Sequence, residues 1–190
     1  VIVSSGVSKL CDVEYALALL GREHTTLLHC VTTYPAPEEE YNLRVLPHIS
    51  AMFGVPVGVS DHTEDEALVP GLATAMGAVT VEKHFTLSRS GRGLDDAFAL
   101  DPTMFTHMAA TIRRIDAILS LDTRGGRSKV VGEFEAEYGR ERVHAVLGDG
   151  VKRLAPSEEK HYATTRRSLH AMTDLPAGTR ISRDNVRALR

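Results

Sequence analysis

Two histidines stand out for what they could do together. His62 lies in Ser60-Asp61-His62-Thr63 and His84 in Glu82-Lys83-His84-Phe85-Thr86, and each follows a short apolar run. The two are about one strand-plus-helix unit apart. If the runs are neighbouring parallel strands, about 4.8 Å separates them. Two imidazoles at adjacent strand ends can then share one divalent ion at about 2.1 Å each. Spacing alone leaves a second reading open, in which each histidine is a hydrogen-bonded polar residue at the rim of the sheet. Asp61 and Glu82 flank the pair. Strand alternation is expected to turn both away from the histidines, so neither is assigned as a ligand.

Other chemistry-bearing residues fall at matching places. Ser4-Ser5-Gly6 follows the first apolar run and Thr32-Thr33-Tyr34-Pro35 the second. In α/β folds, ligands collect at the carboxyl ends of strands, where the loops converge. Ser4 and Ser60 could donate to an anion such as phosphate, beside loop N–H groups; each could equally be an ordinary cap or turn residue. Tyr34 is a ligand contact or a packing residue, held extended by Pro35. Asp95, in Gly93-Leu94-Asp95-Asp96, could hold sugar hydroxyls or be a solvated loop acid. Cys30 reads as a small buried core residue.

The elements that must position these groups are legible. Strands are expected at Val1–Val3, Thr25–Cys30, Val57–Val59 and Val79–Glu82, short and apolar, as in a parallel sheet buried on both faces. Helical spacing joins Val13, Ala16, Leu17 and Leu20, then Leu46, Ile49, Met52 and Phe53, then Phe105, Met108, Ile112, Ile115 and Leu119. Asp101-Pro102 is the expected start of that last helix, and Glu66 to Met76, closed by Gly77, is expected to be helical as well. Four such units fit a doubly wound sheet or half of a (β/α)8 barrel. No GxGxxG follows a strand, which weighs against a dinucleotide fold.

The remaining sequence is expected to divide in two. Residues 121–165 read as a polar linker with a charged helical stretch from Glu133 to Arg142. From Arg166 to Arg190, Ser168-Leu169-His170-Ala171 and the closing Asn-Val-Arg-Ala-Leu-Arg look like strands of a small β-rich domain. A first residue other than Met and a last one inside a strand suggest a piece of a longer polypeptide.

Bulk properties exclude several classes. The 190 residues are 43% hydrophobic and 25% charged, with a formal net charge of −3. No basic excess favours nucleic acid. No apolar run approaches the roughly 20 residues of a membrane span. The 2 cysteines, Cys11 and Cys30, show no metal-finger spacing and fit a reduced, cytoplasmic protein.

The motifs together resemble a family. His29-Cys30-Val31-Thr32-Thr33-Tyr34-Pro35-Ala36-Pro37, then Asn42-Leu43, then Gly58-Val59-Ser60-Asp61-His62-Thr63, then Glu82-Lys83-His84-Phe85-Thr86 are similar to the sialic acid synthases and their legionaminic, pseudaminic and spore-coat relatives. Arg166-Arg167-Ser168-Leu169 with Asp174-Leu175-Pro176-Ala177-Gly178 resembles the opening of that family's antifreeze-like (SAF) domain.

The resemblance implies an α/β fold. Residues 1–120 would be the second half of a (β/α)8 TIM barrel, strands 5–8 with their helices. Residues 121–165 would be a linker, and 166–190 the start of the SAF domain. It implies condensation of phosphoenolpyruvate with an N-acylmannosamine-type aldehyde, in a homodimer with swapped SAF domains. It makes His62 and His84 catalytic metal ligands for Mn²⁺, with Mg²⁺ or Co²⁺ as substitutes. Ser4 and Ser60 would line the phosphoenolpyruvate phosphate pocket, with Thr32 where some members carry Asn. Tyr34 would lie near the substrates, Asp95 would bind sugar hydroxyls, and Arg190 would reach the partner's site.

Two departures are visible. The usual Gly-Pro-Asp-His is Gly93-Leu94-Asp95-Asp96 here, and a common Ser is Ala99. The family's first four βα units, with its phosphate-binding lysines and a glutamate, are not in this sequence, so the chain alone is expected to be inactive. The rival readings are another metal-dependent barrel aldolase or hydrolase, and a sugar-binding fragment or pseudoenzyme.

Overall fold

In the computed structural model, which describes residues 1–165 and 167–189, four parallel strands form the centre. They are β1 (Ile2–Ser4), β2 (Thr26–Cys30), β3 (Val57–Asp61) and β4 (Val81–Lys83), hydrogen-bonded in sequence order. Between them run α1 (Leu10–Leu20), a 3-10 turn (Glu38–Glu40), α2 (Val45–Phe53) and α3 (Leu68–Ala75), and α4 (Pro102–Leu121) follows β4. The expected elements are all present, with ends moved by a few residues. The cap before α4 is also as expected: the Asp101 side chain accepts from the Thr103 and Met104 N–H groups.

The register separates the sheet's two faces. Pairing of Ser4 with Leu28, Cys30 with Ser60, and Ser60 with Glu82 puts these residues on one face. Leu27, Val57 and Val59 belong to the other. They form the core with Val13 and Leu17 of α1, Leu46 and Ile49 of α2, and Leu68 and Leu72 of α3.

Residues 121–165, expected as a linker, contain core-forming helices. These are α5 (Thr123–Tyr138), α6 (Arg140–Leu147) and the short α7 (Pro156–Glu159). Gly139, at φ 86°, separates the first two. Val130, Phe134, Val143, Val146 and Leu147 are buried in the same core as the sheet. Gly71 of α3 makes this packing possible: a Cβ there would lie 2.4 Å from the Phe134 ring. The apolar residues of α5 are few and embedded among charges, so the sequence reads as a solvated stretch. The contact with α3 is nonlocal and leaves no periodic signal.

The strand-like segments near the end pair as an antiparallel ribbon, β5 (Ser168–Ala171) with β6 (Val186–Leu189). Its strand residues are largely exposed.

Candidate functional site

His62 and His84 meet at the carboxyl ends of β3 and β4. Their ring centroids are 5.3 Å apart. His62 is almost buried, at 6% exposure. Its backbone N–H donates to the Tyr41 hydroxyl at 2.7 Å, and its carbonyl accepts from Ala36 N–H at 2.9 Å. Its ring Nδ1 lies 2.8 Å from the Val31 carbonyl. A carbonyl only accepts, so Nδ1 carries the proton and Nε2 keeps its lone pair. His84 Nδ1 lies 3.1 Å from the Asp95 carboxylate, which fixes the same tautomer in a neutral ring. Each histidine is therefore oriented through Nδ1 and offers Nε2, the arrangement a divalent ion needs. Among the described residues no group of three or more His, Cys, Asp or Glu side chains is arranged to hold a metal. The pair would leave coordination positions for non-protein ligands.

Tyr34 belongs to this cluster. Its ring centroid is 4.2 Å from that of His62 and 5.6 Å from that of His84. Phe98, not singled out from the sequence, closes the group at 5.4 Å from His84 and 5.6 Å from Tyr34. It sits in the loop that carries Asp95. Only the aromatic residue beside that acidic pair hinted at it. Burial and the nearby negative charges push the Tyr34 phenol up from its ordinary value.

The flanking acids divide unexpectedly. Asp61 does turn away from His62, and makes a 2.6 Å ion pair with Lys83 on the helix-covered side. Both side chains are buried, at 0% and 1% exposure. The Lys83 ammonium also donates to the Thr63 carbonyl at 2.7 Å and the Asp65 carbonyl at 3.0 Å. It thus ties the end of β4 to the loop that presents His62. Glu82 behaves otherwise: it lies two residues before His84, and a period of two puts both on one face. Glu82 accepts from Ser60 Oγ at 2.7 Å. The Ser60 proton is committed to that bond, so its spare capacity is as an acceptor.

Ser4 and Thr32 lie farther along the same end of the sheet. Ser4 Oγ accepts from Gly6 N–H at 3.4 Å. Thr32 Oγ1 is 3.4 Å from Cys30 Sγ, and that sulfur is 3.9 Å from His62 Nδ1. Burial raises the Cys30 thiol. Gly6 is needed where the loops cross, since a Cβ there would lie 1.9 Å from Thr32 Oγ1. Asp96, which stands where the resembled pattern has His, knits its own loop. It accepts from Thr86 Oγ1 and from Gly93 N–H, each at 2.7 Å, and these bonds hold its carboxyl below the usual range. Arg190 lies outside the described residues.

Glu158 is not singled out from the sequence, where it falls in the segment read as a polar linker. Its carboxylate is fully buried. It accepts from Val7 N–H at 2.7 Å, Thr32 N–H at 2.8 Å and Ala155 N–H at 3.2 Å. One side chain thus pins the loops after β1 and β2. Glu158→Ala is expected to cost about 1–3 kcal/mol in urea unfolding, because amides are left without partners.

The NeuB family profile matches residues 1–123. The chain belongs to the NeuB family. It is 32% identical to the N,N'-diacetyllegionaminic acid synthase of Campylobacter jejuni over 98% of the chain and 48% of that protein. It is 31% identical to the pseudaminic acid synthase of Helicobacter pylori over 100% of the chain and 48% of that protein. The crystal structure of the spore coat polysaccharide biosynthesis protein SpsE from Bacillus subtilis superimposes with a TM-score of 0.78 at 29% identity. That match covers 100% of this chain and 50% of the other. The chain therefore spans about half the length of these NeuB relatives. No helix among the described residues is long and apolar enough to cross a membrane.

Proposed function

We propose that this chain supplies the metal-binding part of a nonulosonic acid synthase. The reaction joins phosphoenolpyruvate, an N-acylmannosamine-type aldehyde and water to give a sialic acid-like product and phosphate. The paired imidazoles, each locked through Nδ1 with Nε2 available, are the observation that supports this reading most strongly. NeuB membership supplies the reaction class.

The four parallel strands are then the second half of a (β/α)8 barrel, and residues 166–190 open an SAF domain of a swapped homodimer. His62 and His84 would hold the divalent ion, with Mn²⁺ the best fit. A bound ion of this kind polarises a carbonyl and stabilises charge developing on its oxygen. Asp95 keeps the His84 ring in the productive tautomer. Tyr34 and Phe98 wall the space beside the histidines. Ser4 and Thr32 line the floor at the strand ends, where the phosphate group would lie, and Ser60 would donate there only by giving up its bond to Glu82. The new carbon–carbon bond forms between the methylene carbon of phosphoenolpyruvate and the aldehyde carbon, water adds to the phosphate-bearing carbon and gives one proton to the aldehyde oxygen and one to phosphate, and phosphate leaves as the C–O bond to that carbon breaks.

Asp95→Asn is expected to weaken divalent-ion binding about 10- to 100-fold, the usual effect of losing the group behind a ligating histidine. Isothermal titration with Mn²⁺ measures it. The function itself is tested by phosphate release from phosphoenolpyruvate with N-acetylmannosamine, on the longest polypeptide that carries this chain. Release that requires the sugar and stops with EDTA supports the proposal. Release that survives both EDTA and His62→Ala refutes it.

A further inference from the structure

A cavity of about 450 Å³ lies beside β2. Strand residues His29 to Val31, the Glu39–Asn42 region and residues 148–158 enclose it. Most polar groups around it are already paired. Glu158 accepts three amide bonds, from Val7, Thr32 and Ala155. Asn42 donates to Asp149 and the Val151 carbonyl and accepts from Gly150 N–H. Arg153 is held by Asp149 at 2.6 Å.

Two buried groups in its lining have no partner: His29 Nδ1 and Lys152 Nζ. His29 is only 4% exposed. Its Nε2 lies 2.6 Å from the Tyr41 carbonyl and must donate to it. Nδ1 is therefore a bare acceptor, consistent with a ring whose pKa burial and the Lys152 charge lower to about 3. Lys152 Nζ has N–H donors and no hydrogen-bond partner; burial lowers its pKa and the Glu158 charge acts the other way. Buried polar groups of this kind are normally satisfied. One small bound molecule could satisfy both by accepting from Lys152 and donating to His29 Nδ1.

We propose that this cavity binds a small hydroxycarboxylate, its carboxylate on Lys152 and its hydroxyl proton on His29 Nδ1. The Lys152 ammonium feels the Glu158 charge but has no hydrogen-bond partner, which leaves its donors for a ligand carboxylate. The carboxylates of Glu39, Glu40, Asp149 and Glu158 in the lining favour a monoanion over a dianion. The flexible Lys152 stem lets the ammonium move forward to meet it. His62 and His84 are not in its lining, although Val31, whose carbonyl holds His62 Nδ1, and Cys30 are.

The probe is L-lactate, with acetate as the control that lacks the hydroxyl. Titration calorimetry on the full chain is expected to show lactate binding about tenfold tighter than acetate, the worth of one hydrogen bond. Lys152→Met and His29→Phe should each remove that binding. Nitrogen-15 NMR of the unsubstituted protein gives a readout independent of how the variants fold. Lactate should shift His29 Nδ1 in the direction of an accepted hydrogen bond, and acetate should not. Equal affinities for lactate and acetate, an unmoved His29 resonance, or no lactate binding would overturn the proposal, the last leaving a water-filled cavity.

Discussion

Lys83→Met is expected to destabilise the protein by about 3–5 kcal/mol, the usual cost of stranding one partner of a buried ion pair. Methionine fills much of the volume but leaves the Asp61 carboxylate, 0% exposed, without its cation. Asp61 would retain neutral partners, the Thr63 N–H at 2.8 Å and the Tyr41 hydroxyl, in place of a cation. The Thr63 and Asp65 carbonyls would also lose the ammonium that joins them to β4. Urea unfolding gives the number. Adding Asp61→Asn to Lys83→Met should restore part of the loss, because it removes the uncompensated charge. A single substitution that leaves the urea midpoint unchanged would show that the pair does not organise this end of the sheet.

The second large effect is on chemistry. In the longest polypeptide that carries this chain, His62→Ala and His84→Ala are each expected to reduce phosphoenolpyruvate condensation by about 100- to 1000-fold, the scale of removing one preorganised electrophilic contact. His84 is the cleaner test. Its side chain is 32% exposed, so truncation leaves little cavity, whereas His62 is packed under Tyr34. Steady-state phosphate release, together with an unfolding curve for each variant, separates lost chemistry from lost structure. A His84→Ala protein that is folded and fully active would remove this residue from the mechanism.

What the sequence revealed followed from local periodicity. The four strands, the helices between them and the Asp101 cap are written in residue spacing, and so is the convergence of His62, His84 and Tyr34 at one sheet end. What it concealed depends on distant contacts. The Phe134–Gly71 packing joins α5 to α3, and nothing in the charged α5 sequence announces it. Glu158 reaches Val7 across 151 residues to bind the loops after β1 and β2. The hydrogen bond from Ser60 to Glu82 follows from strand register, which fixes facing pairs only once the strands are aligned. Asp95 illustrates a subtler limit. Its loop was readable as a place for a carboxylate, but its 3.1 Å contact with His84 gives it a part in orienting the metal ligand.

The most direct test of the central claim is the binding of Mn²⁺ to this chain, followed by electron paramagnetic resonance as the free-ion signal is lost. One ion per chain is predicted, with affinity falling at least about 100-fold in both His62→Ala and His84→Ala, since each removes one of two protein ligands. Binding that is unchanged in both variants, or a folded chain that takes up no Mn²⁺, would contradict the account.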